Sequence, residues 1–461
     1  MTTITFYGGL RTIGGTIISV QHKESRVIFD FGLSYNPATQ VLDGQIRQRS
    51  SALTRDYLRL GLLPPIDGIY SKDAIPQDSS ILSAQNYEGK TAILISHLHL
   101  DHMGAMGFID SSIPVFMTED SNRLYGALHT IGEGSPGDRV YQTCKVGEPI
   151  TVGAITITPL PIDHDIPGAC SFHIETPDGS LLYSGDVRLH GAHPHRVQLF
   201  LDQANEKGFD VLIMEGTTLR DEKELPNHEL VADPTIPDDL LTEALLPNQV
   251  TDILRSISGI GVFNIYHRNI DRIRNMIMAG KEANRKVVLE VETAEIAFNW
   301  LEESDFYIYE SEKLRAEYND LPVWKKHLIE RYPTISSKEI NKDPHGYFLQ
   351  NSYPNALELL DIHATDGVYI HSNGVPLGPF DPAYENLNRL LQIVGLEKVQ
   401  INCGGHALPQ HLQYLVDELN PATLIPLHSF FPERLMPPNG IQLLPEYEKV
   451  YRLLDGRLTE L

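Results

Sequence analysis

Short apolar runs that end in a histidine or an acid recur along this chain, and they predict buried strands. Ala92, Ile93, Leu94 and Ile95 lead directly into His97-Leu98-His99-Leu100-Asp101-His102. The run 26–32 carries Asp30, 155–160 leads to His164, 180–186 ends on Asp186, 212–218 contains Glu215, and 423–428 closes on His428. Helical spacing of apolar residues predicts amphipathic helices over 270–284 and 407–419, and a further helix is predicted over 44–60, stopped by Pro64, Pro65 and Gly68. Further strands are predicted at 261–265, 286–291 and 367–371, so the middle of the chain alternates strand with helix, the pattern of a mostly parallel α/β sheet. The acid- and proline-rich stretch 221–247 reads as a helical connector, and the charged, aromatic stretch 310–351 as helical surface. Residues 32–88 fall clearly in neither core and read equally as a lid or as a packed decoration.

The histidine-rich run is where the chemistry concentrates. In an extended segment alternate side chains share a face, so His97 and His99 can grip one ion while Asp101 and His102, past the turn, reach a second. A structural zinc site would instead be closed by paired thiolates, whereas Cys144, Cys170 and Cys403 are isolated. A two-metal site needs ligands from other strand ends, and His164, Asp186 and His428 stand at such ends. Other motifs fail. The stretch 9–16 has nearly the spacing of a phosphate-binding loop, but Gly15 stands where its lysine must be, so it reads as a tight turn. There is no Gly-x-Ser-x-Gly elbow of a serine hydrolase.

Composition changes the picture in two ways. With 461 residues, 41% of them hydrophobic, the chain has enough apolar mass for two cores. Isolated cysteines point to a reducing compartment, the start of the chain lacks a signal-peptide pattern, and no run is long enough to span a bilayer. A cytoplasmic location is therefore expected, without membrane partners. Against this, 37 Lys plus Arg and 61 Asp plus Glu give a formal net charge of −24, which repels polyanions at long range. That field is screened beyond about 8 Å at physiological salt. Arg47, Arg49, Arg55 and Arg59 form one basic stretch and Arg268, Arg272 and Arg274 another.

On these residues the chain resembles the metallo-β-lactamase superfamily, and within it the β-CASP nucleases, especially their ribonuclease J-like members. Asp30 matches the superfamily's first motif, the His-x-His-x-Asp-His run its second, His164 its third and Asp186 its fourth. Glu215, His406 within Gly404-Gly405-His406-Ala407, and His428 match the three further β-CASP motifs. The resemblance implies an αββα sandwich with an inserted α/β domain: residues 1–217, the insert 218–398, and the returning 399–461. The roughly 190 residues between Glu215 and His406 are far too many for a loop.

What the resemblance implies for the site follows residue by residue. His97, His99 and His164 would hold one divalent cation, Asp101, His102 and His428 the other, and Asp186 would bridge them; Asp30 would brace the ligand loop. Zinc is the expected metal, with manganese the alternative. Such a pair, about 3.5 to 4 Å apart, activates water and clamps the attacking and leaving oxygens at phosphorus. Asp101, Asp186, Glu215 and His406 are the catalytic set, with His406, held by Glu215, serving the leaving oxygen. Asn269, Arg272, Ser372, Gly405 and His406 are the expected substrate contacts, the first two because the run 269–272 resembles a helix start that can receive a phosphate. The implied activity is hydrolysis of RNA, as exonuclease or endonuclease, by a monomer or homodimer; a small ester or thioester and DNA are the alternative substrates. Three positions depart from the family: Asn402 and Gly404 stand where it reads the His and Ser of His-x-Ser-Gly-His-Ala, and Asp165 replaces a serine after His164. A carboxylate there would repel a 5′-phosphate unless it turns away or is neutralised.

Overall fold

A computed structural model describes residues 1–34, 41–42, 46–137, 139–221, 230–301, 305–454 and 456–461. Two sheets pack face to face. The first has eight strands, in the order Arg457–Glu460, Val450–Leu454, Thr2–Gly8, Ile17–His22, Ser25–Phe29, Lys90–Leu94, Val115–Thr118 and Gln142–Cys144. The second has seven, in the order Ile441–Gln442, Thr423–Leu427, Val211–Glu215, Gly179–Tyr183, Cys170–Thr176, Ile155–Pro161 and Ile150–Val152.

Strand periodicity explains why the runs read as continuously apolar. Val27, Phe29, Leu94, Val211 and Ile213 face the core between the sheets, while the alternate Ile28, Ile93, Leu212 and Met214 face outward under helices. Phe29 and Phe172 meet across the layer at 5.3 Å between ring centroids. The outer face of the second sheet is covered by His195–Lys207 and Pro409–Leu419, which contribute Phe200, Leu201, Leu412 and Leu415 to the outer core. This is an αββα sandwich.

The third sheet is wholly parallel, in the order Thr334–Ile335, Tyr307–Tyr309, Lys286–Leu289, Tyr347–Gln350, Gly261–Ile265, Val368–Ser372 and Glu397–Gln400. Helices such as Leu246–Ser256, Ile270–Glu282 and Pro382–Val394 accompany it. Its strand ends face the loop that carries His97 to His102: Arg268, just past Gly261–Ile265, donates from Nη1 to the Leu98 carbonyl at 2.9 Å.

Three expectations are corrected. The stretch 310–351 is not simply helical surface, because Tyr347–Gln350 is a fully buried strand between two neighbours of the third sheet. The helix expected over 44–60 is confined, among the described residues, to a 3-10 turn Ser50–Ala52 and the helix Leu53–Arg59; it ends at Gly61, φ +69°, before the prolines. Positions 43–45 lie outside the described residues. The connector is not helical over 230–245, helix beginning only at Leu246; positions 222–229 again lie outside the described residues. Within 32–88, Leu63, Ile66, Ile69 and Tyr70 are buried in the outer core, which makes at least 63–70 packed structure and not a lid.

Candidate metal centre

Each candidate ligand comes off the end of a strand. Lys90–Leu94 delivers Ser96 and His97; His99 caps the one-turn helix Leu100–Met103, which carries Asp101 and His102. Gly179–Tyr183 delivers Asp186, Val211–Glu215 ends on Glu215, and Thr423–Leu427 is followed by His428. Close backbone packing holds the loop. Thr16 N donates to the Asp101 carbonyl at 3.1 Å, Phe31 N to that of His102 at 2.7 Å, and His428 N to that of Gly9 at 2.7 Å. The 9–16 turn thus serves as a buttress: a Cβ at Gly14 would lie 2.3 Å from Asp101 Cβ, and one at Gly32 would lie 1.7 Å from the Asp101 carbonyl oxygen. Asp30 and His428 both sit in the left-handed region, at φ 59° and 53°, a conformation that costs a non-glycine residue about 1–3 kcal/mol and gathers at functional sites.

The side chains converge in two groups that share Asp186. His97 Nε2 and His164 Nε2 lie 3.2 and 3.0 Å from His99 Nδ1, and 3.6 and 3.9 Å from Asp186 Oδ2. On the other side His102 Nε2, His428 Nε2 and Asp101 Oδ2 close a triangle of 3.3, 2.9 and 3.8 Å, and His102 Nε2 is 3.3 Å from Asp186 Oδ2. The ligand atoms of His97, His99, His164 and Asp186 all lie within 4.8 Å of one another, as do those of Asp101, His102 and His428 and those of Asp186, Glu215 and His428. Facing lone pairs of imidazoles and carboxylates repel unless a cation lies among them. Asp186 makes the same point: its side chain is 2% exposed, yet neither carboxylate oxygen has a hydrogen-bond partner. Leaving such a group unpaired is costly, so the donor set fits divalent metal.

The outward ring nitrogens fix the tautomers. His97 Nδ1 donates to Ser96 Oγ at 3.0 Å, His102 Nδ1 to Asp30 Oδ2 at 2.7 Å, His164 Nδ1 to the Gly405 carbonyl at 2.6 Å, and His428 Nδ1 to Thr217 Oγ1 at 2.7 Å. Each bond commits Nε2 to offer its lone pair inward. Asp30, fully buried, also accepts from Ser96 N at 2.6 Å, Ser96 Oγ at 2.8 Å and Tyr183 Oη at 2.6 Å.

Glu215 and His406 adjoin the cluster. Glu215 accepts from Val187 N at 2.9 Å and Thr217 N at 3.2 Å, and holds His406 Nδ1 at 3.1 Å. Burial favours a neutral His406 ring, but the Glu215 and Asp186 carboxylates outweigh it and lift its pKa to about 10. With Nδ1 committed to Glu215, Nε2 remains to meet a substrate.

The expected substrate contacts fare differently. Gly405 and His406 are partly exposed beside the cluster. Arg272 and Ser372, at 1% and 0% exposure, are out of a substrate's reach, which corrects their assignment. Arg272 spends Nε and Nη2 on Glu243 at 2.9 and 3.0 Å, Nη1 on Ser372 Oγ at 2.6 Å and Asn373 Oδ1 at 3.0 Å, and Nη2 also on the Cys403 carbonyl at 3.3 Å. Asn269 is likewise buried, its side chain accepting from Arg272 N at 2.9 Å as the helix cap, so the phosphate seat expected there is filled by the chain itself. Four of the other basic residues are similarly engaged: Arg268 with Glu133, Arg274 with Asp271, Arg49 with Asp56 and Arg59 with Asp78.

Two important residues gave no sequence signal. Arg188, fully buried, donates from Nη1 to Glu243 Oε2 and to the Gly404 carbonyl, both at 3.2 Å. Glu243 thus joins Arg188 to Arg272, and both arginines hold the 403–404 carbonyls just before Gly405 and His406. Nothing in the composition of the 221–247 stretch distinguishes Glu243 from its acidic neighbours.

Known proteins bear on this geometry. The family described as Beta-lactamase superfamily domain is matched by residues 73–251. Ribonuclease J of Pyrococcus abyssi is 24% identical over 463 residues, covering 94% of this chain and 90% of that protein. Ribonuclease J of Helicobacter pylori (strain J99) is 22% identical over 441 residues, covering 92% of this chain but 55% of that longer protein. A crystal structure of a protein of unknown function from Enterococcus faecalis V583 superposes with a TM-score of 0.76 at 26% identity, covering 100% of both chains.

Proposed function

From a chain that belongs to the metallo-β-lactamase superfamily and runs beside ribonuclease J over nearly its whole length, we infer a metal-dependent ribonuclease that hydrolyses RNA phosphodiester bonds. The observation that carries it is the orphaned, buried Asp186 carboxylate between two groups of inward-facing ligands, with Glu215 and His406 beside them.

His97, His99, His164 and Asp186 would hold one divalent cation and Asp101, His102 and His428 a second, zinc or manganese, with Asp186, 3.3 Å from His102 Nε2, placed to serve both. Bound there, such cations would supply Lewis acidity toward water and toward charge developing at phosphorus. The chain's own residues do the rest. Glu215 fixes the His406 ring through Nδ1, and the protonated ring presents Nε2–H to the leaving oxygen. Gly405 carries no side chain, and a Cβ there would lie 3.0 Å from Asp165 Oδ1 and 3.1 Å from the His164 ring. In this reading residues 218–398 form an inserted domain between 1–217 and 399–461, and it bounds the cleft in front of the cluster. The Glu215–His406 pair favours a nuclease over a small-ester hydrolase, which needs only the metal cluster.

Digestion of end-labelled RNA bearing a 5′-monophosphate or 5′-triphosphate, beside matched single-stranded DNA and a small thioester, tests this. Metal-dependent cleavage of RNA is expected. Rapid thioester turnover with no RNA product of either end chemistry would move the assignment to a small-molecule hydrolase.

A further inference from the structure

Four of the five cluster histidines turn Nε2 inward and donate from Nδ1 to a fixed acceptor. His99 is reversed. Its Nδ1 faces the cluster, 3.2 Å from His97 Nε2 and 3.0 Å from His164 Nε2, so its outward nitrogen is Nε2. The group found there is Asp165, whose Oδ1 lies 3.3 Å from His99 Nε2. That oxygen is buried and has no hydrogen-bond partner, the His99 contact being an ion-pair distance.

We propose that Asp165 is the positioning residue for His99, accepting the hydrogen bond from its Nε2–H and so fixing Nδ1 as the ligand atom of the first metal ion. It rests on the reading of the cluster as a metal centre. Tautomer logic selects His99 over the competing ring. Asp165 Oδ1 is also 3.4 Å from His164 Nε2, but the His164 proton is already on Nδ1, given to the Gly405 carbonyl at 2.6 Å, so that Nε2 has none to donate. A His99 that binds metal through Nδ1 must carry its proton on Nε2, and the carboxylate stands ready beside it.

The arrangement also accounts for Gly405. A Cβ there would sit 3.0 Å from Asp165 Oδ1 and 3.1 Å from the His164 ring, so glycine leaves the carboxylate its place. Of the two side groups that orient histidines of the first ion, Ser96 on His97 is neutral, and Asp165 alone brings a negative charge. An anionic acceptor makes imidazole a stronger donor, so the first site should hold its ion more tightly for it.

The test is competition of a chromogenic chelator against purified protein loaded with Zn²⁺ or Co²⁺. Asp165→Ala should weaken the first-site ion about 10- to 100-fold, the usual effect of losing an outer-shell partner, while the second ion keeps its wild-type affinity. Asp165→Asn, whose amide oxygen still accepts, should recover part of that loss. In the Co²⁺ protein the hyperfine-shifted, exchangeable N–H proton of His99 should vanish from the NMR spectrum of Asp165→Ala by fast exchange, while those of His164 and His102 persist; a merely structural change would not single out one ring. Unchanged first-site affinity and a persistent His99 proton in Asp165→Ala would overturn the proposal and leave the metal centre standing. A wild-type protein that binds no ion at His97, His99 and His164 would overturn both.

Discussion

Replacing Glu243 with glutamine removes one charge from the join between sheet sandwich and parallel sheet while keeping the side chain's size. The wild-type carboxylate is 2% exposed and accepts from Arg272 Nε and Nη2, from Arg188 Nη1 at 3.2 Å and from Asn275 Nδ2 at 3.1 Å. Glutamine would set an NH₂ against a guanidinium and leave two buried arginines without their shared counter-ion. Breaking a buried pair by removing one partner costs about 3–5 kcal/mol. Arg272 keeps Ser372, Asn373 and the Cys403 carbonyl, and Arg188 keeps the Gly404 carbonyl and the field of Asp165, so the loss should fall at the lower end, about 3 kcal/mol. Against a total stability of about 5–15 kcal/mol this is a large fraction. Denaturant unfolding of Glu243→Gln and Arg272→Met, and of the double variant, measures it, with a coupling energy above about 1 kcal/mol expected because the groups touch. A Glu243→Gln cost below about 1 kcal/mol, in the range of a solvated side chain, would refute the reasoning. Because the network holds the carbonyls before His406, Arg272→Ala should lower turnover of RNA and of a small chromogenic phosphodiester alike; a loss confined to RNA would restore the phosphate-reading role its sequence position suggests.

Further outcomes follow from the same geometry. His406 is lifted to about 10, so as the proton donor it stays charged through neutral pH; turnover should fall only as pH rises toward that value, and Glu215→Gln, which removes the largest raising influence, should move that limb to lower pH. An unmoved limb would dissociate His406 from it. His406→Ala should cost roughly two to four orders of magnitude in turnover with both metals retained, the range for a positioned acid; parallel loss of metal would make it a ligand instead. Since the arginines nearest the cluster are spent on acids of the chain, the salt dependence of RNA binding should be shallow, each single-strand phosphate contact adding about 0.7 to the slope. A steep slope measured by filter binding would show cationic contacts that the structure does not display.

The cluster was legible because its ligands occupy strand ends, where an apolar run followed by a histidine or aspartate stands out. His97, Asp186 and His428 needed only that pattern. Partnership was not legible. The sequence 269–272 looks like an anion seat, but Arg272 is claimed by Glu243 from the preceding connector and by Ser372 from a neighbouring strand. Sequence names the donor and is silent on which acceptor folding brings to it. Tyr347–Gln350 was hidden for a different reason: four residues among charged neighbours carry too little periodicity to outweigh them, and burial between two parallel strands decides the matter. Asp165 stood beside a ligand in sequence, yet its service to His99 depends on which ring nitrogen faces inward, a matter of three-dimensional placement.

Anomalous X-ray scattering from crystals of the purified protein, collected at the zinc and manganese edges, bears most directly on the central claim. Two peaks per chain are expected, one among His97, His99 and His164 and one among Asp101, His102 and His428, both in contact with Asp186, and in Asp186→Ala this paired occupancy should be lost together with RNA cleavage. A single peak, no peak, or a second peak that survives in Asp186→Ala would contradict a centre built on that shared carboxylate.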